Sequence, residues 1–164
     1  MTIQAGDIGF AHTKGLMGRL IRLGEALKGK LGSEWNHQFV VDRIVDGVPY
    51  IIQATFEGVT DTAPLSMVAP GGRYITMPPP PEVDRGKLLE FCRSEVGTKY
   101  SLLSDVAIGI DILSWNWVPA LMNSYRRTWQ CAGLINEGMR FGGWLHQWVN
   151  CNTVTPQMGF LALQ

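Results

Sequence analysis

Short apolar runs separated by turn-forming residues fill the first half of the chain and predict the strands of a sheet. Residues 6–11 predict a first short strand, and residues 38–45 and 48–55 are rich in β-branched and aromatic side chains. The dipeptide Asp46-Gly47 separates the last two runs. Because Asp-Gly favours a tight turn, these runs predict a β-hairpin. Two further short strands are expected, one beginning at Val59 and one over residues 73–77.

Apolar residues recur at helical spacing in three other stretches. Residues 16–31 predict an early amphipathic helix with a basic outer face, and residues 101–113 predict a later one. Between them, Asp84 is a suitable cap for a helix that runs to about Val96. Pro78 to Pro81 precede that helix and favour an extended connection, because successive prolines donate no backbone hydrogen bonds. The sequence therefore divides into a sheet half and a helical half.

A further helix is expected to begin at Cys131, because apolar residues follow it at Leu134, Ile135 and Met139. Gly142 and Gly143 mark its end. The fold class predicted from these patterns is α+β, with a small antiparallel, barrel-like sheet packed against the helix that bears Cys131. At 164 residues, the chain is expected to form one domain over residues 1–164.

Charge and cysteine content narrow the classes of function. Lysine plus arginine and aspartate plus glutamate number 14 each, so no excess of positive charge indicates a nucleic-acid partner. Cys92, Cys131 and Cys151 form neither an even disulfide framework nor a Cys-x-x-Cys metal pattern. Reduced thiols in a cytosolic environment are therefore expected, without metal or other cofactor. The first residues lack the pattern of a signal peptide, and no apolar run is long enough to predict an integral membrane segment.

A cysteine at a helix start is a candidate nucleophile. The unpaired amides of the first helical turn stabilise the thiolate and can also receive a developing oxyanion. Such a thiol needs a base, and His37 stands at the start of a predicted strand. The next strand carries Gln53, whose side chain is expected to bond the far nitrogen of the imidazole and hold the ring in place.

Other residues compete for these roles. His12 and His146 are alternative bases, because each could in principle replace His37. Cys151 lacks a following amphipathic helix that would activate it, and Cys92 fits the buried face of the helix that begins near Asp84. The residue pattern alone leaves the choice open.

A set of short motifs, in one shared order, extends over most of the chain. It consists of Gly6-Asp-Ile-Gly9, an apolar and basic helix, Asn36-His37, Gln53-Ala54, Gly58-Val59, Gly97-Thr-Lys-Tyr100, Cys131-Ala-Gly-Leu-Ile135 and Val154-Thr-Pro156. In this order the chain resembles the circularly permuted branch of the NlpC-like, papain-fold cysteine peptidases, the YiiX-type group. In that branch the histidine strand precedes the cysteine helix.

The resemblance implies a role for each of four residues. Cys131 corresponds to the nucleophile, His37 to the general base, Gln53 to the orienting group and Tyr100 to a tyrosine whose hydroxyl helps to bind the oxyanion. Two departures from the family pattern stand out. Ala132 replaces the serine that usually follows the nucleophile, and Gln53 replaces the usual carboxylate, with Glu57 as a substitute orienting group if the strand register differs.

The resemblance also implies the chemistry. The expected activity is hydrolysis of amide bonds, in peptides of the bacterial cell wall, through an acyl-enzyme. A lipid acyl substrate is the alternative on the same scaffold, and a tryptophan-lined apolar groove would favour it; the candidate lining residues are Trp115, Trp117, Trp129, Trp144 and Trp148. A catalytically silent binding or assembly module is the alternative from another class. A wall peptidase without a signal peptide would reach its substrate by another route, such as a holin or a phage virion.

Overall fold

A five-stranded antiparallel sheet forms the centre of the protein, in a computed structural model that describes residues 2–14, 34–69, 73–99, 129–144 and 154–164. The strands are β1 (Ile8–Ala11), β2 (His37–Val45), β3 (Val48–Thr55), β4 (Gly58–Pro64) and β5 (Tyr74–Met77). Their order across the sheet is β4-β3-β2-β1-β5, and each neighbouring pair is antiparallel. With the helices described next, this arrangement confirms the α+β class.

The predicted hairpin is confirmed between β2 and β3. Val45 pairs with Val48, and the two turn residues have positive φ angles, 50° at Asp46 and 77° at Gly47. Aspartate and glycine tolerate this left-handed conformation, which gives a two-residue turn the twist of its flanking strands.

Four helices are described: α1 (Leu65–Val68), α2 (Arg85–Ser94), α3 (Cys131–Phe141) and α4 (Pro156–Ala162). Asp84 caps α2 as predicted, because its Oδ1 accepts a hydrogen bond from the Lys87 amide at 3.0 Å. The helix was predicted to run to about Val96; it ends at Ser94, and a turn follows that leads to Gly97, whose φ is 88°.

The sheet separates two apolar clusters. On one face, Val40 and Ile52 pack with Leu134 and Ile135 of α3. On the other face, Phe39, Val41 and Ile51 pack with Leu65 and Ala69. Alternation along β2 and β3 accounts for the division, because successive side chains of a strand point to opposite faces.

An ion pair between the buried Asp42 and the exposed Arg93 links α2 to the sheet. Asp42 is 3% exposed at an irregularity in the pairing of β2 with β3, and its Oδ1 accepts a hydrogen bond from Arg93 Nε at 2.7 Å. Arg43 contacts the other carboxylate oxygen. A buried carboxylate without a partner raises the free energy of the folded state, and the two arginines offset this cost at Asp42.

Two predicted helices, over residues 16–31 and 101–113, lie outside the described residues. Within the described ranges, no helix has both the length and the apolar character needed to cross a bilayer.

Gly9 provides a test of the packing on the Phe39 face. A Cβ at this position would lie 2.0 Å from the Phe39 ring. Gly9→Ala should therefore lower the free energy of unfolding by about 1–3 kcal/mol through overpacking, as measured by chemical denaturation. In a Phe39→Leu background the same substitution should cost less, and equal costs in both backgrounds would contradict the contact.

Candidate active site

His37 and Gln53 are in direct contact. The Nε2 of His37 lies 2.7 Å from the Oε1 of Gln53, and Gln53 is buried while His37 is half-buried. An amide oxygen only accepts, so in this contact Nε2 carries the hydrogen and Nδ1 keeps the lone pair. The contact therefore orients the imidazole with one nitrogen available as a base. Glu57, the substitute orienting group, lies instead in the exposed turn between β3 and β4.

The imidazole of His37 stays neutral to a lower pH than an ordinary histidine does. Burial lowers its pKa from the usual 6.5, and the hydrogen bond that His37 donates to Gln53 opposes this only in part. At neutral pH the ring is thus an uncharged base, ready to take a proton.

The start of β2 is held in place by Asn36, the residue before His37. Asn36 is 2% exposed, and its Oδ1 accepts hydrogen bonds from the Thr13 amide at 2.8 Å and from the Thr13 hydroxyl at 3.0 Å. Its Nδ2 donates to the Thr13 carbonyl at 2.9 Å. These three bonds fix the backbone that presents His37.

Cys131 is the first residue of α3, as the sequence predicts, and it is 4% exposed. The preceding residue, Gln130, has extended backbone and does not cap the helix with its side chain, whose Nε2 donates to the Val154 carbonyl at 2.8 Å. The Gln130 side chain therefore accepts no hydrogen bond from the backbone amides of the first turn of α3. Such amides suit the stabilisation of a thiolate or an oxyanion.

The chain before Cys131 is tied to the edge of the sheet. The amide of Trp129 donates to the Lys99 carbonyl at 3.2 Å, and its indole nitrogen donates to Glu95 at 2.6 Å. The neighbouring Thr98 carbonyl accepts from Val59 of β4 at 2.9 Å. A row of backbone bonds thus runs from β4, next to the strand of Gln53, to the residue two positions before Cys131.

His37 and Cys131 are the first residues of β2 and α3, two elements that pack against each other. The pairing of His37 with Ala11, and its alternation with Phe39, place it on the face away from the one that packs against α3. Gln130, directly before Cys131, and Trp35, two residues before His37, bond to residues 154 and 157 of one C-terminal segment.

The competing residues fall into two groups. Tyr100, which was expected to help bind the oxyanion, lies outside the described residues, as do the competing His146 and Cys151. Cys92 is fully buried in the core, and burial, with Glu95 and Asp42 nearby, raises the pKa of its thiol to about 12. It is therefore unreactive at neutral pH.

His12 is the alternative base that the structure does describe. Its Nδ1 lies 3.0 Å from the Glu34 carbonyl, which can only accept, so this nitrogen carries the hydrogen. The ring of His12 is thereby directed to the backbone, whereas the ring of His37 contacts a buried side chain on the adjoining strand.

Sequence reasoning missed the polar residues that surround the candidate pair. Gln157 accepts hydrogen bonds from the amides of Glu34 and Trp35, and no element was predicted for the segment that contains it. Thr155 and Pro156 offered a signal, because a threonine cap followed by proline is typical of a helix start, and α4 begins there. No group of three or more metal-ligating side chains occurs in the ranges that the structure describes.

The lowered pKa of His37 predicts how stability depends on pH. Below about pH 6.5 the unfolded chain binds a proton that the folded chain resists, so the free energy of unfolding should fall as pH decreases from 6.5 towards the lower pKa of folded His37. Chemical denaturation over this interval measures the slope. His37→Asn should reduce the slope, whereas His12→Gln should leave the His37 contribution in place. A slope unchanged by His37→Asn would contradict the burial of a neutral imidazole.

Comparisons with known proteins do not place the chain in a family. No protein-family model, curated protein or solved structure matches it. The residues and their geometry are therefore the basis on which function is inferred.

Proposed function

We propose that the protein is a thiol hydrolase of amide bonds that acts through Cys131 and His37. The observation that carries the proposal is the 2.7 Å hydrogen bond from His37 to Gln53, on strands against which the helix of Cys131 packs. A neutral imidazole held by a buried amide, and a thiol at a helix start, are the two parts that nucleophilic acyl transfer needs.

In the proposed reaction, Nδ1 of His37 removes the proton from the Cys131 thiol as the sulfur attacks the carbonyl carbon. The C–S bond forms, and the carbonyl oxygen becomes an oxyanion that first-turn amides of α3 stabilise. The oxyanion then collapses, the C–N bond breaks, and His37 returns the proton to the leaving amine. Water attacks the resulting thioester, with His37 again as base, and releases a carboxylic acid and the free thiol.

The resemblance to the permuted NlpC-like peptidases supports a peptide of the bacterial cell wall as the substrate. The same motifs support a permuted papain-like arrangement of the strands and helices described above. The tryptophans support a lipid acyl substrate only weakly, because the two candidate lining residues that the structure describes pack against other side chains. Trp144 is 6% exposed and belongs to the core, and Trp129 packs edge-to-face on Phe91, with ring centroids 5.7 Å apart.

A silent binding module is the second candidate, and two observations favour it. Cys131 is almost wholly buried, and Gln53 supplies no negative charge to stabilise the imidazolium that forms during attack. The reactivity of the Cys131 thiol separates the two functions.

Alkylation by iodoacetamide, resolved by peptide mass spectrometry, measures that reactivity. Cys131 should react faster than Cys92, because the pKa of Cys92 is raised to about 12. His37→Ala should slow the alkylation of Cys131 by about a hundredfold, in line with the loss of a general base. His12→Ala is the matched control and should leave the rate unchanged. Equal rates at Cys131 in the native and His37→Ala proteins would refute the hydrolase.

Substrate class requires product analysis. The protein is incubated with purified wall peptides and, separately, with phospholipid vesicles, alongside Cys131→Ala as the inactive control. A new carboxylate and amine from the peptide support an amidase, whereas free fatty acid from the vesicles would replace it with a lipid acyl hydrolase.

Substitutions at Gln53 test its action on His37. Gln53→Glu should raise the pKa of His37, because a carboxylate stabilises the imidazolium, and should move the pH dependence of Cys131 alkylation to higher pH. Gln53→Leu retains the bulk but loses the hydrogen bond, and should slow alkylation by about tenfold through loss of orientation. If both variants keep the native pH profile, Gln53 does not act on His37.

A further inference from the structure

We propose that the C-terminal segment Val154–Gln157 sets the separation of the two candidate catalytic residues, with Gln157 as a positioning residue. The inference rests on the proposed function. It concerns residues that are bonded to the chain within three residues before each of the two candidate residues.

On the cysteine side, the segment holds Gln130. The amide nitrogen of the Gln130 side chain donates to the Val154 carbonyl at 2.8 Å, and the two residues are 3% and 0% exposed. Because Gln130 precedes Cys131 directly, this bond fixes the point at which α3 begins.

On the histidine side, the segment holds the chain two residues before β2. The Oε1 of Gln157 accepts hydrogen bonds from the Glu34 amide at 3.1 Å and from the Trp35 amide at 3.3 Å. One buried oxygen thus satisfies two backbone donors that lie two and three residues before His37.

The segment itself is rigid for local reasons. Thr155 caps α4 through a hydrogen bond from the Met158 amide at 3.3 Å, and Pro156 restricts φ at the first helical position. Phe160, one turn further on, packs against Phe10 and Trp35, with ring centroids 5.4 and 5.8 Å apart. The distance between Val154 and Gln157 is therefore set by the start of a docked helix.

Gly159 allows this docking. A Cβ at Gly159 would lie 2.8 Å from the Oε1 of Gln38, the residue that follows His37. The helix consequently lies close against β2, and its contacts extend to both sides of His37 in the sequence.

The experiment compares three variants in the full chain. Gln157→Ala removes the oxygen, Gln157→Glu restores an acceptor for both amides, and Leu161→Ala is the matched control, because Leu161 lies on the same helix but is 53% exposed. Cys131 alkylation by iodoacetamide is followed across the pH range in which His37 titrates. Chemical denaturation gives the folded fraction of each variant, so that rates refer to folded protein.

We expect Gln157→Ala to slow the His37-dependent alkylation of Cys131 by about ten- to a hundredfold, because a displacement of about 1 Å has an effect of this size. Its pH profile should approach that of His37→Ala. Gln157→Glu should recover most of the rate, and Leu161→Ala should retain it. A purely structural role would lower stability yet leave the rate and pH profile of the folded protein unchanged, and that result would overturn the inference.

Gln130→Met tests the other side of the segment and keeps the inference falsifiable if Gln157→Ala does not fold. It removes the donor to Val154 and retains the length of the side chain, and it should slow alkylation in the same way. A native rate in this variant would also count against the inference. Native Cys131 that reacts no faster than in His37→Ala would instead refute the proposed function, and the inference with it.

Discussion

Burial of the α3 helix is the constraint on which the rest of the structure depends. Residues of this helix are buried on nearly all sides: Cys131, Ala132, Gly133, Leu134, Ile135, Asn136, Gly138 and Met139. Small residues make this possible, since a Cβ at Gly138 would lie 2.8 Å from Leu88 and 2.9 Å from the sulfur of Cys92. Hydrophobic packing against α2 on one side and against the sheet on another thus fixes the helix. This packing determines the position of Cys131 independently of any reaction of its thiol.

Buried amide side chains add hydrogen bonds to the packing of α3. Asn36, Gln53, Gln130 and Gln157 are each at most 8% exposed, and all four use their side-chain amides near the candidate pair. An amide donates and accepts without carrying charge, so it can be buried at a lower cost than a carboxylate or an ammonium group. The site is accordingly organised by neutral hydrogen bonds rather than by ion pairs.

The sequence predicted those features that local pattern controls. Asp46-Gly47 identified the hairpin, the period of two brought Gln53 to the face of His37, and apolar spacing identified the helix start at Cys131. The role of Gln157 was not predicted, because its partners Trp35 and Glu34 lie 122 and 123 residues away in the sequence. A periodic pattern predicts only local structure. The position of His37 on the face away from α3 could not be predicted either, since it depends on which face of the sheet packs against α3.

A neutral His37 has a consequence for the resting protein. With the pKa of the imidazole lowered by burial, the ring does not supply the permanent positive charge that would keep a neighbouring sulfur ionised at rest. Oxidants such as peroxide react with thiolates far more readily than with thiols. In the proposed hydrolase, a neutral His37 therefore adds nothing to the oxidation of Cys131 between turnovers.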